Sequence, residues 1–146
     1  MSSRKARMHT AEHILNQAMV RTFGCGRCFS AHINDKKSKC DYAFDRALGD
    51  DEAAAVEAEV NRAIGLGLDV TEEFMDREAA AGTFNLERLP DEAGDTLRIV
   101  RVGDYDACPC IGEHVANTAE IGSFRMVSYS FEDGMLRIRF KLGAAD

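Results

Sequence analysis

The sequence predicts an α+β fold, in which an antiparallel sheet packs with two main helices. Three observations carry that prediction. Two stretches place apolar residues at helical spacing, one close to the N-terminus and one just after residue 50. The other apolar stretches read as short strands, several of them neighbours joined by short polar turns, which is the signature of hairpins. The regular strand–helix–strand alternation of a parallel, doubly wound sheet is missing. A length of 146 residues is expected to form one domain with a sizeable core, and neither an internal repeat nor a low-complexity linker divides it.

In chain order, Met8 to about Phe23 is expected as the first helix, because Ile14, Leu15, Ala18 and Met19 share a face that Val20 and Phe23 extend; Gly24 and Gly26 stop it. Cys28–Ile33 and Ser38–Phe44 are expected as a hairpin around the polar turn Asn34-Asp35-Lys36-Lys37. Asp50 or Asp51 can cap a second helix, running through Ala55, Val56 and Val60 to Ile64 and ended by Gly65 and Gly67. Leu68–Phe74 reads as a strand and Asp76–Ala81 as one or two helical turns. Residues 82–95, with Gly82, Pro90 and Gly94, read as a loop. Thr96–Val102 reads as a strand with Leu97 and Ile99 alternating inward, and Gly103–His114 as irregular chain broken by Pro109 and Gly112. Gly122–Phe131 and Met135–Leu142 form the expected final hairpin around Glu132-Asp133-Gly134.

Composition narrows the classes of function. Hydrophobic residues are 45% and charged residues 29%, which excludes a mainly disordered chain. No apolar run approaches the roughly 20 residues needed to span a bilayer, and the basic, amphipathic N-terminus lacks the apolar core of a signal peptide. The expectation is a cytoplasmic protein with no membrane partner. Five cysteines, an odd number, fit reduced thiols better than a disulfide framework. The net charge of −7 is unevenly spread. Residues 1–48 hold nine Lys/Arg against four Asp/Glu, a balance of +5, while residues 49–146 hold nine against 21, a balance of −12. The basic part, with Arg4, Lys5, Arg7, Lys36, Lys37 and Lys39, can attract a phosphate backbone locally or be plain solvated surface.

Two spacings carry chemistry. His9-Thr-Ala-Glu-His13 sets two imidazoles one helical turn apart on one face, which is how a helix offers two ligands to one metal. Cys110-Ile-Gly-Glu-His114 offers a thiolate and an imidazole from a loop. Together they make a His3Cys donor set, a type suited to Zn2+. Cys108 competes with Cys110; the four-residue spacing to His114 favours Cys110. Glu12 and Glu113 each precede a candidate ligand histidine, so each is a candidate base or a group that orients an imidazole, beside the plainer reading of a solvated acid. His32 reads as a strand residue, and Cys25 and Cys28 as small core cysteines rather than half of a zinc ribbon.

The segments HTAEHIL, CIGEHVANTAEIGSFRMVS and GMLRIRFKL resemble the editing domain shared by alanyl- and threonyl-tRNA synthetases, and most of all its freestanding trans-editing relatives of the AlaX type. The likeness runs from about residue 7 to residue 142. It implies that His9, His13, Cys110 and His114 meet in one zinc site, that the partner is the acceptor end of an aminoacyl-tRNA, and that the reaction is hydrolysis of a mischarged ester such as Ser- or Gly-tRNA(Ala). It also places Ser30, in CFSAHI, and the loop residues Ile111 and Gly112 beside the substrate, and matches Asp41, in KCDY, to the family's second strand. The sequence departs from the family where small residues such as CGGTH are usual, since Ile111 and Glu113 stand there. The glycine-rich barrel that precedes this domain in longer relatives is not seen, so recognition of the acceptor end alone, of tRNA broadly or through a partner is expected; the sequence is compatible with an oligomer. Three other readings stay open. One is a non-catalytic tRNA- or partner-binding module with structural zinc. Another is an unrelated zinc hydrolase using His9-x-x-Glu12-His13, with Glu12 as base. The third is a metal-free site in which the same His and Cys do acid–base work directly.

Overall fold

The computed structural model describes residues 3–84 and 94–143. The N-terminal helix α1 (Arg4–Phe23) begins with Ser3, whose hydroxyl accepts a hydrogen bond from the Ala6 N–H (3.1 Å), and ends at Gly24, whose φ of 69° is the left-handed conformation glycine adopts without steric cost. It starts four residues before Met8 because its first turn is polar and carries no periodic signal. From Met8 to Met19 nearly every face is buried, including the polar Thr10, Glu12, His13 and Asn16. A helix covered on most sides must satisfy its polar groups internally.

After α1 come β1 (Ser30–His32), β2 (Ser38–Ala43), α2 (Asp50–Gly65), β3 (Val70–Asp76), α3 (Arg77–Ala81), β4 (Thr96–Val102), β5 (Asp106–Pro109), β6 (Phe124–Glu132) and β7 (Met135–Leu142). All strand pairings are antiparallel, as expected, but the strands divide into two sheets, β1-β2-β7-β6 and β3-β4-β5. In the first sheet Cys40, Tyr42, Leu136, Ile138 and Phe140 form the inner face and join α1 and α2 in the main core. Each fully buried Leu, Ile or Phe there contributes about 1.5–3 kcal/mol. The β6–β7 turn holds Asp133 at φ 48° and Gly134 at φ 79°, two successive positive values that match the twist of a tight hairpin.

The second sheet contains the main departures. β3 lies two residues downstream of its expected place, because Leu68 and Asp69 are occupied by contacts to the Asn117–Thr118 turn. β4 buries Leu97, Ile99, Val100 and Val102, on both of its faces, as its central place requires. β5 falls inside the segment expected to be irregular. Asp-Ala-Cys-Pro has little strand propensity, and Pro109 is tolerated because β5 is an edge strand. The cap of α2 is Gly49 rather than an aspartate; the Glu52 carboxylate accepts from its N–H (2.9 Å), and Asp50 and Asp51 sit in the first turn, where the helix dipole favours acids. Of the expected 82–95 loop, residues 85–93 lie outside the described residues. None of the described helices is long and apolar enough to cross a membrane.

Candidate metal centre

α1 and the chain after β5 meet at one end of the α1 core. His9 and His13 project from consecutive turns of α1, and Cys110 and His114 come from the segment that leaves β5. The four donor atoms all lie within 4.8 Å of one another. Cys110 Sγ is 3.3 Å from His9 Nε2, and His114 Nε2 is 2.9 Å from His13 Nε2. A tetrahedral zinc with ordinary bond lengths has ligand–ligand edges of roughly 3.3–3.6 Å. The separations and the soft, nitrogen-rich donor set are therefore compatible with zinc. His13 is the buried floor of the site, while the other three are half-buried and open it on one side.

Electrostatics favour a thiolate at Cys110 and a neutral imidazole at His114, but hold the proton on His13, which a bound metal has to displace. Burial alone would push the Cys110 thiol up, but hydrogen bonds from His114, His13 and His9 bring it down to about 3, which favours the thiolate. Burial draws His114 below its usual value, helped by the charge on His13 and opposed by its bond to Cys110. For His13 burial also acts downward, yet the Cys108 sulfur and the Asp106 carboxylate outweigh it and hold the imidazole well above its usual value.

Asp106 is a further member of the site that no sequence spacing marks. Its side chain is fully buried, and its Oδ2 lies 3.4 Å from His13 Nδ1. Arg27 grips it through two bonds (2.6 and 3.3 Å), and Gln17 adds a third (3.0 Å). Burial would raise this carboxylate, but His13 and Arg27 hold it down to about 2. A carboxylate on Nδ1 fixes the tautomer that aims Nε2 at the other donors. Cys108 also faces Nδ1, with Sγ at 3.1 Å, so it sits on the opposite side of the His13 ring from the four-donor group. Nothing in the sequence spacing marked Asp106 or Arg27; both depend on β5, which periodicity does not reveal.

The loop is held by contacts of a similar kind. Arg98 on β4 donates from Nε to the Cys110 carbonyl (2.9 Å) and from Nη2 to the Gly112 carbonyl. A Cβ on Gly112 would fall within the His9 ring, so only glycine fits there. Ile111, the residue between, is 60% exposed and faces outward. Thr10, one position after His9, donates to the Ala6 carbonyl (2.8 Å) and accepts from the Val115 N–H (3.0 Å), which ties the segment after His114 to α1. The Asn117-Thr118 part of the NTAEIG run is structural: the Thr118 hydroxyl donates to the Ile64 carbonyl (3.0 Å) and accepts from the Leu68 N–H (2.8 Å), closing the end of α2.

The two candidate acids have different settings. Glu12 is buried; one oxygen lies 3.6 Å from His9 Nε2 and the other accepts from Asn16 (2.6 Å) and from the Cys28 thiol (3.4 Å). Asn16 in turn accepts from Tyr42 and the Cys28 N–H, so Glu12 belongs to a polar network beneath the site. Glu113 is exposed and accepts from Ser3 (3.3 Å). Ser30 is exposed at the start of the edge strand β1, opposite Asp41; no described hydrogen bond joins it to the four donors. Asp41 itself is bound by Arg137 (2.8 and 3.1 Å). His32 is exposed on β1, Cys28 is buried and Cys25 is half-buried; none of the five cysteines is in a disulfide.

Comparison with known proteins agrees with the resemblance seen in the sequence. Residues 97–139, from β4 through most of β7, match the family described as the threonyl and alanyl tRNA synthetase second additional domain. An alanine–tRNA ligase of Methanothrix thermoacetophila is 35% identical over 96% of this chain, and that of Exiguobacterium sibiricum is 35% identical over 98%. The alanine–tRNA ligase of Methanococcus vannielii is 30% identical over 94%. The chain spans about a sixth of the length of these relatives. A buried helix offering two imidazoles, a strand-edge loop returning a thiolate and a third imidazole, and this likeness together make the chain a relative of the alanine–tRNA ligases that carries the second additional domain of the threonyl and alanyl tRNA synthetases.

Proposed function

We propose that the chain hydrolyses the ester joining a wrong amino acid to the 3′ end of a tRNA, with Ser- or Gly-tRNA(Ala) as the expected substrate class, at a site that holds one zinc ion. The observation that carries this reading is the convergence of His9, His13, Cys110 and His114 in a chain related to alanine–tRNA ligases. The chemistry zinc supplies when bound is polarisation of an ester carbonyl or anchoring of a substrate amino or hydroxyl group. The rest belongs to the protein. Asp106 holds the Nδ1 proton of His13, Glu12 steadies His9 from below, and Arg98 fixes the carbonyls of the loop that carries Cys110. Of the two acids, Glu113 is the one solvent reaches, and it is the candidate to take a proton from the attacking water. Glu12 acts as a positioning residue, because its carboxylate is enclosed by Asn16, Cys28 and His9. The same enclosure disfavours a peptidase reading with Glu12 as base.

A second reading has one observation in its favour. Four protein donors fill a tetrahedron and leave no free position, which is the pattern of an organising rather than a reactive zinc. The test is a deacylation panel of Ser-, Gly-, Ala- and Thr-charged tRNAs, with and without a chelator. Release of serine or glycine that stops with chelator and in Cys110→Ala supports the proposal. A folded, zinc-loaded protein that deacylates none of them would assign the site to structure alone.

A further inference from the structure

The outer face of the β1-β2-β7-β6 sheet has a charge layout that folding does not explain. Across the ladder Lys39 stands directly opposite Arg139, and Arg125 directly opposite Lys141. Like charges in direct opposition destabilise a sheet. Among the described residues none of these four has an ion-pair partner. Asp41, on the same face, is bound by Arg137 and also feels the Lys39 and Arg139 charges, but one carboxylate offsets only part of this set, and Glu132 lies at the far end of β6. The chain carries a net charge of −7, so cations collected on one face leave the remainder more acidic still.

The β1–β2 turn carries further cations at the end of this sheet. Lys36 and Lys37 line a groove of about 540 Å3 together with Lys5, Ile33, Asn34 and Asp35. Lys5 is on α1, four residues before His9, and so about 6 Å along the helix from it, on the same side. The groove thus joins Lys5, one turn of α1 before His9, to the β1–β2 turn, from which β2 leads to Lys39 on the sheet.

We propose that this groove and sheet face bind the phosphodiester backbone of RNA, the acceptor stem lying on the sheet and its single-stranded 3′ end passing the groove toward His9. The charge pattern stands by itself; the choice of an acceptor stem rests on the proposed function. Phosphate contacts of this kind position a nucleic acid without reading its sequence and weaken steeply with salt.

The test is the affinity of the full chain for a short RNA hairpin with a single-stranded CCA end, measured over a range of salt. Two double variants, K39E/R139E and K36E/K37E, are compared with R62E/R101E, which removes the same charge from α2 and β4. The first two are expected to weaken binding at least tenfold and to lower the salt slope by about one per lysine or arginine replaced, with the control changing by less than about twofold. Single Lys39→Glu sets opposite charges face to face, so it is expected to keep or raise the melting temperature while weakening RNA binding, which separates docking from folding. Equal loss in all three double variants, or no RNA binding by the wild-type chain, overturns the proposal. Hydrolysis of a seryl ester of adenosine by the same variants distinguishes the two readings. RNA bound through this face with no ester cleaved retains the docking surface and removes the hydrolase; cleavage with binding indifferent to these residues does the reverse.

Discussion

Gly112 and Asp106 determine how well the imidazoles are aimed. Gly112 packs its backbone on the His9 ring, so Gly112→Ala forces the ring or the loop aside. Zinc affinity is expected to fall about 10–100-fold, the usual effect of disturbing a ligand's support, with circular dichroism unchanged because Gly112 lies outside every helix and strand. A competition titration with a chromophoric chelator measures it. Asp106→Asn removes the carboxylate shared by His13 and Arg27 and is expected to weaken zinc to a similar degree and to lower stability by about 1–3 kcal/mol. Its pH signature has a definite sign. The folded carboxylate titrates at about 2, below the usual 3.8, so its stabilisation is present above about pH 4 and lost as pH falls toward 2. Acid unfolding of Asp106→Asn, followed by fluorescence or circular dichroism, should lack that component. The meeting of the four candidate donors is legible as two spacings, HxxxH and CxxxH. Asp106, Arg98 and Arg27 are not, because each acts across sheet pairings or loops that no local pattern encodes.

The element that gathers the site is α1, and the contact that joins it to the loop is made by Thr10. Thr10→Val keeps the shape but leaves the buried Val115 N–H without an acceptor. The expected result is a loss of about 1–3 kcal/mol in denaturant unfolding, together with weaker zinc binding as His114 loosens. A variant as stable and as zinc-competent as the wild type would remove Thr10 from this role. Most elements were legible because their periodicity is strong, as in Ala55–Ile64 and Met135–Leu142. α1 was longer than its apolar stripe because capping by Ser3, not hydrophobic pattern, sets its start. β5 was missed because an edge strand of Asp-Ala-Cys-Pro is held by pairing with β4 and by its own side-chain contacts to α1.

For the whole molecule, the two sheets have different tasks. The three-stranded sheet delivers Asp106, Cys108, Cys110 and Arg98 to α1, whereas the four-stranded sheet covers the core and turns a cationic face outward. The division into two sheets was not legible, since a list of strands does not state which of them pair. The charge asymmetry was legible as a basic first third, but Arg125, Arg139 and Lys141 join it only once β6 and β7 lie beside β2. The proposed site holds one zinc on His9, His13, Cys110 and His114, with Cys108 outside. Metal analysis of protein purified without added zinc, for the wild type, Cys110→Ala and Cys108→Ala, tests it most directly. About one zinc per chain is expected in the wild type and in Cys108→Ala, with loss of the metal in Cys110→Ala. A wild type without zinc, or zinc kept by Cys110→Ala and lost by Cys108→Ala, would contradict it.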